Sequence, residues 1–110
     1  MRTIWKFQLT TTDLQHVQMP KGPILFVAAQ REVPCLWVEV DSEAPRIERL
    51  FAIYGTGHQM PEGINQDYLG SYMLMEGALV FHVYELIMAA DSAMSKTINL
   101  ESGELPHVLA

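Results

Sequence analysis

The side chains able to do chemistry in this 110-residue chain are four histidines, one cysteine and thirteen carboxylates. His58 and Glu62 stand four residues apart in a glycine-bearing stretch and are candidates for the imidazole and carboxylate of a metal site. His82 would complete a three-ligand site with His58 and Glu62 if folding carried it there; otherwise it is an imidazole on the less buried face of a strand. His16 and His107 have no partner nearby in sequence. Gly55-Thr56-Gly57-His58 lacks the Lys-Ser/Thr of a phosphate loop and the helix of a dinucleotide fingerprint, so its glycines read as a sharp exit from a strand. Cys35 directly follows Pro34, and no base or cluster of cations beside it in sequence would activate its thiol. It reads as a packed, inert side chain. No serine sits in a nucleophile elbow, and the carboxylates are dispersed. The expectation is a protein without catalytic residues, resident metal or cofactor.

The elements that would position these residues read as strands. Residues 3–9 alternate, with Trp5, Phe7 and Leu9 on one face, and residues 14–19 put Val17 and Met19 together. The run 24–29 is apolar on both sides and reads as a central strand covered twice over. Leu36, Val38 and Val40 then alternate with Trp37, Glu39 and Asp41, and Cys35 falls on the face of Trp37. Residues 47–54 form a further strand interrupted by Arg49, followed by a long irregular connection over 55–67. Residues 68–75 and 78–85 read as a hairpin about a two-residue turn, Glu76-Gly77, with Gly77 supplying a positive φ. From Leu86 to Met94 the composition favours a short helix, and the remainder reads as a tail. The fold class is therefore all-β, a small seven-stranded antiparallel sandwich or barrel over residues 1–85 with a C-terminal helix or tail over 86–110.

Trp37, Tyr54, Tyr68, Tyr72 and Tyr84 fall on these strands or at their ends, several opposite the aliphatic set. A sheet surface rich in such rings suits contact with another protein. The expected binding residues are Trp37, Tyr54, Tyr72 and Tyr84, with Gly55, Gly57 and His58 from the adjoining loop. The competing reading is that two sheets, or the C-terminal helix, bury the rings.

Composition bounds the function classes. Seven Lys and Arg against thirteen Asp and Glu leave a net charge of −6, and the cations stand singly, which disfavours direct binding to nucleic acid. A single cysteine rules out an intrachain disulfide and suits a reducing interior. Apolar runs fall far short of the ~20 residues of a membrane-spanning helix, and the first residues lack the apolar core of a secretory signal. A cytoplasmic location is expected.

Thr3-Ile4-Trp5-Lys6-Phe7, Cys35-Leu36-Trp37, Tyr54-Gly55-Thr56-Gly57-His58 with Pro61, Tyr68-Leu69-Gly70, and the block from Ala78 to Glu85 occur in that order. Together they resemble a family of short bacteriophage and prophage proteins of unassigned function. The similarity spans residues 1–85 and leaves the tail outside it. The resemblance implies a phage accessory protein in the host cytoplasm and brings no catalytic residue with it. The resulting expectation is a non-catalytic protein that binds a host or phage protein, without metal or cofactor, and able to self-associate through residues 86–94. Two alternatives stand beside it: a small-molecule or metal-binding jelly roll using the 55–63 loop, and a virion decoration protein.

Overall fold

The computed structural model describes residues 1–87. They form seven strands: β1 (Arg2–Gln8), β2 (Leu14–Pro20), β3 (Ile24–Gln30), β4 (Val33–Asp41), β5 (Arg46–Gly55), β6 (Gln66–Leu74) and β7 (Leu79–Leu86). All pairings are antiparallel, in a three-stranded sheet ordered β1-β4-β3 and a four-stranded sheet ordered β2-β5-β7-β6. The two-residue period turns one face of each sheet to the other. Leu36, Val38 and Val40 of β4 meet Phe51 and Ile53 of β5, Tyr72 of β6 and Val83 of β7, with Leu9, Met19 and Val27 closing the cluster. Of the sandwich or barrel expected from the alternation, the two-sheet sandwich is the one formed. No described helix is long and apolar enough to cross a membrane.

Three sequence expectations need correction. The run over 24–29 is an edge strand of the smaller sheet, not a central one: Val27 is buried, but the register slips at Leu25 and both Leu25 and Phe26 point to solvent. A continuous apolar run does not reveal how many neighbours a strand has, and the bulge breaks the alternation that would have buried one of the two. The second concerns Tyr72. An extra residue at Leu69 shifts the register between Tyr68 and Gly70, so Tyr68 faces out while Tyr72 is turned into the core at 3% exposure. The third concerns Leu86, which is extended in β7, pairs with Gln66 and is buried. The rest of the expected 86–94 helix lies outside the described residues.

The hairpin expected about Glu76-Gly77 forms, but its connection is four residues, 75–78: the ladder ends at the Leu74–Leu79 pair, Ala78 N–H donates to the Met75 carbonyl at 3.0 Å, and Met75, Glu76 and Gly77 all have positive φ. A two-residue turn joins β3 to β4 through Arg31 (φ 54°) and Glu32 (φ 67°), without a glycine. At the inner rim of the larger sheet Arg49 forks onto Glu85 with two 2.8 Å bonds and donates a third to the Gly22 carbonyl, also 2.8 Å. The interruption seen at Arg49 in sequence is thus a strut tying β5 and β7 to the β2–β3 connection. Arg46 of β5 lies over the Trp5 and Phe7 rings of β1 at 5.4 and 5.7 Å, a cation–π contact between the two sheets.

Candidate functional site

The outer faces of the two sheets carry the chemistry-bearing residues, and they differ in how much of it is covered. On the four-stranded sheet the outward positions of β5 and β7 are Leu50, Ala52 and Tyr54, and His82, Tyr84 and Leu86. Leu50, Ala52, Tyr54 and Leu86 form a satellite core, with Leu14, Tyr84 and Ile64 of the long connection packed against it. Tyr54 is 7% exposed and its hydroxyl donates to Gln66 at 2.9 Å. Burial holds this phenol above its ordinary ionisation range, against the lowering effect of the Gln66 bond. Tyr84 stands between Tyr54 and Tyr68 with ring centroids 5.5 and 5.4 Å away, both edge-on. The rings expected to offer a contact surface here largely bury one another, and Tyr68 alone stands well out.

Beside this cluster His82 is held at both nitrogens. Its Nδ1 lies 2.8 Å from Ser71 Oγ, directly across the ladder, and its Nε2 lies 2.8 Å from Thr56 Oγ1 in the long connection. Tyr68 adds its hydroxyl to Ser71 at 2.6 Å. With Thr56 donating to the Val80 carbonyl, the chain runs one way: Tyr68 to Ser71, Ser71 to Nδ1, and Nε2–H to Thr56. A serine on an imidazole is half of an activated nucleophile, but here the imidazole rests on a neutral hydroxyl and Ser71 is already engaged by Tyr68. The network pins β6, β7 and the long connection together. The bulge that turns Tyr72 inward is also what brings Tyr68 within reach of Ser71, a consequence the strand alternation does not reveal.

The loop residues go elsewhere. His58 N–H donates to the Gly55 carbonyl at 3.0 Å, closing a turn whose third residue, Gly57, has φ 89°. The His58 ring lies over Gly55, with its Cε1 2.9 Å from where a Cβ on residue 55 would stand, a contact that the exposed ring can relieve by turning. The cleft beside it, lined by Asp13, Ile53, Tyr54, His58, Gln59 and Pro61, has a volume of about 70 Å³, well below the several hundred of a typical ligand pocket. Glu62 is exposed. Among the described residues no group of three His, Cys, Asp or Glu side chains is placed to hold a metal ion, so His58, Glu62 and His82 are not brought together.

The smaller sheet is open. Its outward positions include Arg2, Ile4, Lys6 and Gln8 on β1, Cys35, Trp37 and Glu39 on β4, and Phe26 and Ala28 on β3. Trp37, the one expected binding ring on this sheet, is half-buried against Phe26, with centroids 5.5 Å apart. Phe26 remains 58% exposed and Ile4 56%, with Leu25 beside them at the bulge. Sequence reasoning missed Phe26 and Ile4 because one was assigned to a covered strand and the other to the polar side of β1. Arg2 pairs with Glu39 along the rim of this patch. Cys35 lies on the same face but is buried, its thiol donating to the Val33 carbonyl at 3.4 Å, as expected of a packed side chain.

No curated protein and no solved structure matches the chain. A family model described as a domain of unknown function, DUF7352, matches residues 1–93, which take in all seven strands and every connection between them. The sandwich, with its covered tyrosine face and its open Phe26–Trp37 face, is therefore that of a member of the DUF7352 family.

Proposed function

We propose that the protein acts without catalysis, by holding another protein against the outer face of its three-stranded sheet. The observation that carries this reading is Phe26, a large ring more than half exposed on a sheet face, with Ile4 equally exposed and Trp37 beneath it. Aromatic and aliphatic groups grouped in the open, with an ion pair on their rim, match the apolar centre and polar border of a protein contact. The tyrosines of the other sheet bury each other and offer less. The resemblance of the ordered blocks to phage and prophage proteins suits a phage accessory role, with a host or phage protein as partner in the host cytoplasm.

The test is affinity capture from infected-cell extract with the intact protein and three folded variants. Phe26→Ser and Trp37→Ala should each lower recovery of a stoichiometric partner at least tenfold, while Tyr68→Ser, on the opposite face, leaves it intact. Equal recovery by all three variants, or loss with Tyr68→Ser alone, overturns the assignment to this face. Recovery of virion proteins alone would move the role to particle decoration.

A further inference from the structure

At the turn end of the same sheet, Lys6, Gln8, Gln30, Arg31, Val33 and Cys35 line a cleft of about 420 Å³. We propose that this cleft binds a small oxyanion, the carboxylate or phosphate group of a low-molecular-weight ligand. Among the described residues are ten carboxylates and six Lys or Arg; none of those carboxylates lines the cleft, whereas two of the cations do. Among the described residues neither Lys6 nor Arg31 forms an ion pair. Lys6 Nζ is instead steadied by the Gln30 side-chain carbonyl at 2.6 Å, a neutral acceptor that leaves its charge uncompensated. The Gln8 and Gln30 amides add neutral donors, and Val33 with the buried Cys35 makes an apolar floor. A guanidinium fork, an ammonium and amide N–H groups over a low-dielectric base are the complement of an oxyanion. The volume falls within the range of small-ligand sites.

The turn that presents Arg31 adds to the case. A two-residue turn with both φ values positive is normally built from Asn-Gly, and a left-handed non-glycine residue costs about 1 kcal/mol or more. Here Arg31 and Glu32 occupy both positions. Glu32 is drawn away from the cleft, accepting the Met75 N–H at 2.9 Å, so the turn separates its two charges and leaves only the cation on the cleft side.

The test is a titration of the 15N-labelled full chain with sodium phosphate and, separately, sodium acetate, holding ionic strength constant with chloride. The expected result is saturable shifts confined to the amides of Gln30, Arg31, Val33 and Cys35 with at least one of the two anions, the tighter one naming the ligand group. Lys6→Gln with Arg31→Gln, both solvent-exposed and so compatible with the fold, should weaken that binding at least tenfold, while Lys21→Gln leaves it unchanged. Shifts that rise linearly with both anions, or saturation that survives in the Lys6→Gln, Arg31→Gln protein, would overturn the proposal.

Discussion

Tyr72 carries the one buried side-chain oxygen, among the described residues, that has no hydrogen-bond partner. Its ring stacks on Phe81 at 5.4 Å inside the sandwich, so the packing is favourable while the hydroxyl forfeits its hydration. Burial pushes its phenol up to about 12 from the ordinary 10. Because the folded-state value is raised, the stability it protects is whole below pH 10 and is lost as pH climbs from 10 through about 12, where the unfolded chain alone ionises. Tyr72→Phe should therefore raise stability by about 1 kcal/mol in urea denaturation at neutral pH. It should also lose less stability than the wild type between about pH 9 and about pH 11. Parallel losses in the two proteins would show that the hydroxyl is solvated after all. Arg49 and Glu85 show the opposite solution to a polar group at the core: at 10% and 19% exposure they satisfy each other with paired bonds, and the third donor closes on Gly22.

At the scale of elements, β6 and β3 belong to different sheets but run close, and Gly70 is where they touch. A Cβ on residue 70 would stand 2.9 Å from Val27 Cβ and 3.0 Å from its Cγ2. Neither atom is the free end of a flexible chain, so the sheets themselves would have to part. Gly70→Ala should cost on the order of 2 kcal/mol. The cost should fall when Val27→Ala is made with it, and a double-mutant cycle by chemical denaturation reads this coupling. Strict additivity would mean that the strands separate freely there. The same bulge places Tyr68 over Ser71 and Tyr72 in the core, so one inserted residue governs both the outer hydrogen-bond chain and the inner packing.

For the whole molecule, the strand order ranks the backbone by protection. β4, β5 and β7 each have a hydrogen-bonded neighbour on both sides, whereas β1, β3, β2 and β6 are edges. Native-state hydrogen exchange should find the slowest amides in β4, β5 and β7, with the outward amides of β1 and β2 exchanging by local opening. Protection of β1 equal to that of β4 would contradict the sheet order. The two outer faces are likewise unequal: the larger sheet has its own satellite core beneath Ile64 and Leu14, while the smaller one presents Phe26 and Ile4 to solvent. That asymmetry directs the proposed contact to one side of the sandwich.

The period of the side chains by itself determined the all-β class, the approximate bounds of seven strands, the inward set Trp5, Phe7, Leu36, Val38 and Val40, the packed Cys35 and the hairpin about Gly77, though not the four-residue length of its connection. Each follows from local geometry, since alternate residues must face opposite ways and a tight hairpin needs a left-handed centre. What lay beyond its reach was every feature set by pairing between distant segments. An apolar run does not state whether it has one neighbour or two, so the edge position of β3 and the exposure of Phe26 are not legible in it. Gly70 within a strand is a recognised mark of a bulge, yet only the partner strand shows on which residue the register slips, and that slip decided where Tyr72 points. The separation of His58 from His82, the bond from Arg49 to Glu85 and the meeting of Lys6 with Arg31 across β4 are likewise products of sheet order, a tertiary property with no local signature.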